Sequence, residues 1–186
     1  MRNLILTTYI SLDGVIENPQ NWSMKYFSDD AGQLATEILT GADGLLQGRA
    51  TYEGFAQNWA EPGEDDFSRH MYGMRKYVVS STLTEAGWNN SRLLTGDLVQ
   101  EVTKLKAEDG GAILSYGFGS VAHTLLAAGL VDTLHLWVHP VIVGAKAGPN
   151  DLAWNAKDPE QHFETAQVRT LSSGVTVLTL TKPRGN

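Results

Sequence analysis

The stretch Gly44-Leu45-Leu46-Gln47-Gly48-Arg49-Ala50-Thr51-Tyr52-Glu53 decides the fold. Its first residues form a short apolar run, the mark of a strand buried on both faces. Gly48 permits a tight turn. Tyr52, Phe55 and Ala56 then follow at the spacing of one helical face. The same strand–turn–helix order recurs downstream, without an internal sequence repeat. Ala112-Ile113-Leu114-Ser115 reads as a buried strand, Gly117-Phe118-Gly119-Ser120 as the turn, and 121–130 as the helix, with Ser120 as a plausible N-cap.

Outward from these units the chain keeps alternating. Residues 4–12 form a β-rich run ended by the turn pair Asp13-Gly14. Asp29 or Asp30 is placed to cap a helix reaching about Leu39, with Leu34, Ile38 and Leu39 on one face. Residues 76–80 and Arg92-Leu93-Leu94 read as further strands. Residues 97–108 form an amphipathic helix carrying Leu98, Val102 and Leu105. A long strand, 133–143, is interrupted in rhythm by Pro140, and 163–171 and 175–181 flank Ser172-Ser173-Gly174 as a hairpin. The polar run 59–76 reads as a long surface loop holding one short helix. The expected fold is one α/β domain over 1–186. A mixed, mainly parallel sheet is flanked by helices on both faces and closed by a C-terminal antiparallel hairpin.

Composition narrows the function. The chain has 186 residues, 42% hydrophobic and 19% charged, which suits one globular domain with a core. A net charge of -7 gives no electrostatic footprint for nucleic-acid phosphates. The absence of cysteine removes disulfides, thiolate metal sites and a Cys nucleophile. The five histidines do not fall at metal-ligand spacing; His135 and His139 share a strand without a third ligand, and no metal is expected. No apolar run reaches the ~18 residues of a membrane helix. The apolar part of Met1-Arg2-Asn3-Leu4-Ile5-Leu6 is too short for a signal peptide, so a cytoplasmic location is expected.

In parallel sheets ligands sit beyond the carboxyl ends of the strands, and the candidate residues lie there. Gly48, Arg49 and Thr51 open a helix whose free N–H groups attract anions, with a guanidinium and a hydroxyl added. Gly117, Phe118, Gly119 and Ser120 form a second such start, where the glycines admit a diphosphate to the backbone. The full G-x-G-x-x-G pattern is absent because Ala122 fills its last position. Ser80, Ser81 and Thr82, at the end of what reads as a central strand, offer three hydroxyls to a ribose or its phosphate. Asp13, Asp29 and Asp30 are candidate proton donors, since a partly buried acid has a raised pKa. A turn residue or a helix cap accounts for the same aspartates.

Taken together, these motifs resemble the dihydrofolate reductase superfamily. The closer likeness is to the reductase domain of the bifunctional riboflavin-biosynthesis enzyme and its stand-alone relatives. Its carriers are Ser11-Leu12-Asp13-Gly14-Val15-Ile16, Gly48-Arg49-Ala50-Thr51-Tyr52-Glu53, Tyr77-Val78-Val79-Ser80-Ser81-Thr82-Leu83, Gly117-Phe118-Gly119-Ser120, Gly129-Leu130-Val131-Asp132-Thr133-Leu134 and His139-Pro140-Val141-Ile142-Val143-Gly144. The resemblance implies a hydride-transferring reductase that uses NADPH, with NADH left open, on a small pterin- or pyrimidine-like substrate. It implies cofactor phosphates at Gly48, Arg49 and Thr51, the adenosine ribose near Ser80, Ser81 and Thr82, and the diphosphate at Gly117, Phe118, Gly119 and Ser120. It places the nicotinamide beside Ile16. It also implies a homodimer.

Several positions depart from the family pattern. Ser81 stands where many relatives carry Arg, which weakens a 2′-phosphate site unless Arg49 compensates. Phe118 separates two glycines that are adjacent in dihydrofolate reductases, and Ala145-Lys146-Ala147-Gly148-Pro149 replaces a glycine-rich stretch. The deaminase half of the riboflavin enzyme and its zinc motif have no counterpart in these residues. A domain that binds a nucleotide without turning it over, as a sensor or scaffold, is the alternative.

Overall fold

In the computed structural model, residues 1–144, 152–154 and 159–183 are described. The stretch 145–149, in which the glycine-rich pattern is replaced, lies outside them. The chain runs β1 (Leu4–Ser11), α1 (Asp29–Thr40), β2 (Ala42–Gly48), α2 (Arg49–Asn58), α3 (Asp66–Gly73), β3 (Arg75–Val79), β4 (Ser91–Leu94), α4 (Leu98–Ala107), β5 (Ala112–Tyr116), α5 (Ser120–Ala127), β6 (Thr133–His139), β7 (Glu164–Thr170) and β8 (Thr176–Thr181). The strands form one eight-stranded sheet in the order β4-β3-β2-β5-β1-β6-β8-β7. The six strands from β4 to β6 are parallel, and β8 alone is reversed, pairing antiparallel with both β6 and β7.

The expected alternation and the closing hairpin are present. Local details differ. Ser28 takes the N-cap position of α1, and Asp29 and Asp30 fill its first turn. Gly119, not Ser120, is the N-cap of α5. The long strand expected over 133–143 stops at His139, because Pro140 has no N–H to continue a ladder. The polar run 59–76 contains α3, capped by Asp65 through the Ser68 N–H, and its last two residues open β3. β3 lies second from one edge of the sheet rather than at its centre.

The core is two layers of side chains, one on each face. Leu4, Leu6, Leu46, Ile113 and Leu134 meet Val102 and Leu105 of α4 and Ala122 and Leu125 of α5. On the other face Leu45, Val78 and Leu114 meet Leu39 of α1, Tyr52 of α2 and Met71 of α3. Trp137, Val175 and Val177 complete that face under α1. Each fully buried Leu contributes roughly 1.5–3 kcal/mol, so the layers clamp the sheet and fix the strand ends that carry the site. Trp137 of β6, buried between β1 and β8, lies in this core.

Two charged residues also help to hold the chain start. Arg2 is buried, donates to the Gly111 carbonyl at 2.7 Å and pairs with Asp43. Asp132 accepts from the Leu4 N–H at 2.7 Å and pairs with the buried Lys106. Together these interactions tie the start of β1 to the segments entering β2, β5 and β6.

Candidate functional site

β1 and β5 are neighbours, but the helices that follow them lie on opposite faces of the sheet: α1 over Trp137, α5 over Leu134. The chain parts at their carboxyl ends, the place where open α/β sheets bind ligands in a crevice. Two helix starts border it. Gly48 caps α2 and Gly119 caps α5, and neither helix has a side-chain cap. Their first N–H groups are therefore left for a ligand. The two starts lie against each other. A Cβ on Gly48 would sit 3.4 Å from Val121 Cγ2, and one on Gly117 would sit 3.3 Å from Thr51 Oγ1. Gly117 has φ +86, a left-handed conformation that glycine adopts without strain.

Arg49 reaches sideways from α2. It donates through Nη1 to Thr82 Oγ1 at 2.8 Å and through Nε to Glu53 Oε1 at 2.8 Å. Its side chain is 49% exposed, so it can turn to an anion at low cost. Ser80 is committed to its own turn: its Oγ accepts from the Thr82 and Leu83 N–H groups at 3.2 and 3.0 Å. Ser81 and Thr82 are exposed. The structure thus brings Gly48, Arg49, Thr51, Ser80, Thr82, Gly117 and Gly119 to one edge of the sheet. Phe118 behaves differently. Its ring is buried, 4.7 Å from Trp154 and 5.4 Å from His123, so the turn offers a ligand its backbone alone. Ile16 packs partly buried against the core layer under α5.

The aspartates are loop fasteners. Asp13 accepts from Ser11 Oγ at 2.6 Å and from the Val143 and Gly144 N–H groups at 3.1 and 2.8 Å. These bonds, the Ser11 hydroxyl first, lower its pKa to about 2. Asp30 accepts from Ser28 Oγ at 2.5 Å and from the Ser172 N–H and Oγ at 2.7 and 2.9 Å, and its pKa also falls to about 2. A carboxylate so held is ionised at neutral pH and has no proton to give. The geometry argues against Asp13 and Asp30 as acids and assigns them to closing loops. Asp29 is exposed on the first turn of α1.

An aromatic cluster that no sequence motif marks lies at the carboxyl ends of β1 and β6. The buried His139 ring lies 4.8 Å from Tyr9, 5.3 Å from Trp22 and 5.8 Å from Tyr26. Its Nδ1 bonds the Trp137 carbonyl at 2.8 Å, and burial lowers its pKa, so the ring is neutral at neutral pH. Among the described residues no group of three or more His, Asp and Glu is placed to hold a metal ion. The one available signal was alternation: Thr7, Tyr9 and Ser11 share a face of β1.

A mixed, mainly parallel sheet with two helix starts converging at its strand ends defines the α/β architecture of this domain. The chain belongs to the RibD C-terminal domain family, whose model matches residues 2–177. It is 31% identical over 180 residues to the uncharacterized protein YyaP of Bacillus subtilis (strain 168), covering 94% of this chain and 92% of that protein. Its fold is that of a putative riboflavin biosynthesis protein from Shewanella sp. PV-4, with a TM-score of 0.75 at 21% identity over 98% of this chain and 99% of the other. A pyrimidine reductase-like protein from Corynebacterium diphtheriae gives 0.66 at 14% identity, covering 99% and 93%. A diaminohydroxyphosphoribosylaminopyrimidine deaminase/5-amino-6-(5-phosphoribosylamino)uracil reductase from Thermotoga maritima gives 0.64 at 15% identity, covering 98% of this chain and 57% of that one.

Proposed function

We propose that this protein is an NADPH-dependent reductase acting on a C=N or C=O bond of a small pterin- or pyrimidine-like compound. The observation that carries the reading is the contact of the two uncapped helix starts, Gly117 against Thr51 and Gly48 against Val121. The donor set suits a dinucleotide: backbone N–H groups of both starts and the Thr51 hydroxyl for the diphosphate, and the Arg49 guanidinium for a further phosphate. A Cβ at Gly117 would narrow the gap in which a phosphate approaches the backbone. When bound, NADPH supplies a hydride, and the chain supplies position and electrostatics.

In this reading Arg49 leaves Thr82 to meet the 2′-phosphate, taking the role that Ser81 cannot fill. Ser80 keeps the ribose turn closed. Ile16 borders the nicotinamide from the loop after β1, whose shape Asp13 fixes. Asp29 or a bound water delivers the proton. The likeness of the fold to a pyrimidine reductase-like protein and to a deaminase/reductase supports this assignment, as does the match of the family model over nearly the whole chain. The protein works as a homodimer in the cytoplasm, and light scattering of the purified protein tests the dimer.

The saturated hydrogen bonding of Asp13 and Asp30 favours a second reading, a domain that binds the nucleotide as a sensor. NADPH oxidation followed on adding dihydrofolate or 5-amino-6-ribosylaminouracil separates the two. Turnover supports the reductase. Tight NADPH binding with no oxidation across such a panel supports the sensor.

A further inference from the structure

The two faces of the sheet are covered unequally at β6 and β8. On one face α1 lies over Trp137 and Val177. On the other, α5 reaches Leu134, and among the described residues no helix between β6 and β7 covers the rest. A cavity of about 330 Å³ is left there. Leu134 and Leu136 of β6 and Leu180 of β8 line it from the sheet, with Leu134 paired to Leu180. His123, Leu126 and Ala127 line it from α5, and Trp154, Gln161 and Phe163 from the connection to β7.

The chemistry of the lining selects a ligand class. Among the described residues it holds no Lys, Arg, Asp or Glu, so it suits a neutral molecule. Small-molecule sites are concave and mostly apolar and begin at roughly 300 Å³. The rings of Trp154 and Phe163 favour a flat aromatic body. Gln161 is exposed, and its amide carbonyl can accept from one N–H or O–H of that body. Trp154 is 43% exposed, an apolar surface left open at the cavity.

The cavity also adjoins the cofactor turn. The Trp154 ring stands edge-on to Phe118 at 4.7 Å, and the His123 ring stands edge-on to the same residue at 5.4 Å. Phe118 is buried and lies between Gly117 and Gly119, at the start of α5. Two residues that line the cavity are therefore the ones that hold Phe118 in place. Packed side chains transmit displacement because interiors have little free volume. A molecule seated in the cavity presses both rings against Phe118, and through it fixes the backbone of the turn.

We propose that this cavity is an effector site for a neutral bicyclic aromatic compound whose occupation sets the shape of the Gly117-Phe118-Gly119 turn. It lies on the sheet face opposite α1 and α2, away from the substrate. The site stands on the fold alone; its effect on NADPH rests on the reductase reading. There, a turn already fixed binds the cofactor more tightly, and by linkage NADPH tightens the effector by the same factor.

The test uses the full chain with indole as the probe, titrated by amide NMR and then by NADPH titration with and without saturating indole. Wild type is expected to bind indole saturably at millimolar concentration or below, with shifts at the Gly117 and Gly119 amides. Saturating indole is expected to tighten NADPH about fivefold. Ala127→Trp fills the cavity from α5, and Gln161→Trp fills it from the other side; both positions are exposed. Each is expected to weaken indole about tenfold or more and to leave NADPH affinity without indole unchanged. No indole binding by wild type overturns the proposal. So does binding that both variants retain, which marks an adventitious additive only, or binding that leaves the turn amides unmoved. NADPH affinity that indole leaves unchanged or weakens also overturns it. A change of oligomeric state in either variant, read by sedimentation, makes the cavity an interface between copies instead. Failure of wild type to bind NADPH, with indole still shifting the turn amides and still blocked by the variants, counts against the reductase reading and leaves the site standing.

Discussion

Gly117 approaches Thr51 so closely that a Cβ on residue 117 would lie 3.3 Å from the Thr51 hydroxyl, and its φ of +86 disfavours any side chain. Gly117→Ala therefore carries two penalties. It is expected to lose about 1–2 kcal/mol of stability and to weaken NADPH binding. Gly119 is the control, because a Cβ there meets nothing within 4 Å and its φ is -92. Gly119→Ala keeps wild-type Tm and loses cofactor affinity alone. Thermal melts alongside cofactor titrations check both.

Among the described residues Arg49, half exposed, is bound to Thr82 and Glu53 alone. Arg49→Ala is expected to leave Tm nearly unchanged. It should weaken NADPH by about tenfold, the value of one charge-assisted hydrogen bond, and change NADH by less than about twofold. Equal losses for the two nucleotides would place the 2′-phosphate elsewhere.

Asp13 and Asp30 titrate near pH 2 in the folded protein, below the ordinary carboxylate value of 3.8, because hydroxyl and backbone donors hold the charged form. The sign follows from linkage. The unfolded chain takes up their protons first as pH falls, so their stabilisation is full above about pH 4 and fades towards pH 2. Between about pH 5 and 9 neither group titrates. Activity profiles of wild type and Asp30→Asn should therefore share the same limbs in that range. A limb that vanishes in Asp30→Asn would make Asp30 the working acid.

Lys106 is 3% exposed and paired with Asp132, and it also donates to the Leu130 carbonyl at 2.6 Å. Lys106→Met leaves the Asp132 carboxylate, 28% exposed, with the Leu4 N–H and the more distant Lys182 at 3.7 Å, at an expected cost of about 1–2 kcal/mol. Urea unfolding measures this directly, with the m-value unchanged if the fold is intact.

What was legible in the chain was local. Periodicity and glycine placement marked the strands, the helices and the closing hairpin, because those signals act within a turn or a strand. The roles of the aspartates were not legible. Asp13 is fastened to Gly144, 131 residues away, and Asp30 to Ser172, 142 residues away. Nothing near either residue announces those partners. The aromatic cluster around His139 was hidden for a related reason. Strand register is set by the packed sheet, and a shift of one residue would turn every side chain to the other face. Phe118 shows the converse: a residue read as part of a phosphate turn is buried against the nearby His123 ring and the more distant, half-exposed Trp154.

The central claim is a dinucleotide site at the touching starts of α2 and α5. Its most direct test is a titration of the purified protein with NADPH and with NADH, followed by tryptophan fluorescence, since Trp154 lies 4.7 Å from Phe118 in the turn. Saturable quenching by NADPH, tighter than by NADH and lost in Gly119→Ala, is the predicted result. No change with either nucleotide at millimolar concentration would contradict the account and leave Gly48 and Gly117 as turns of the fold alone.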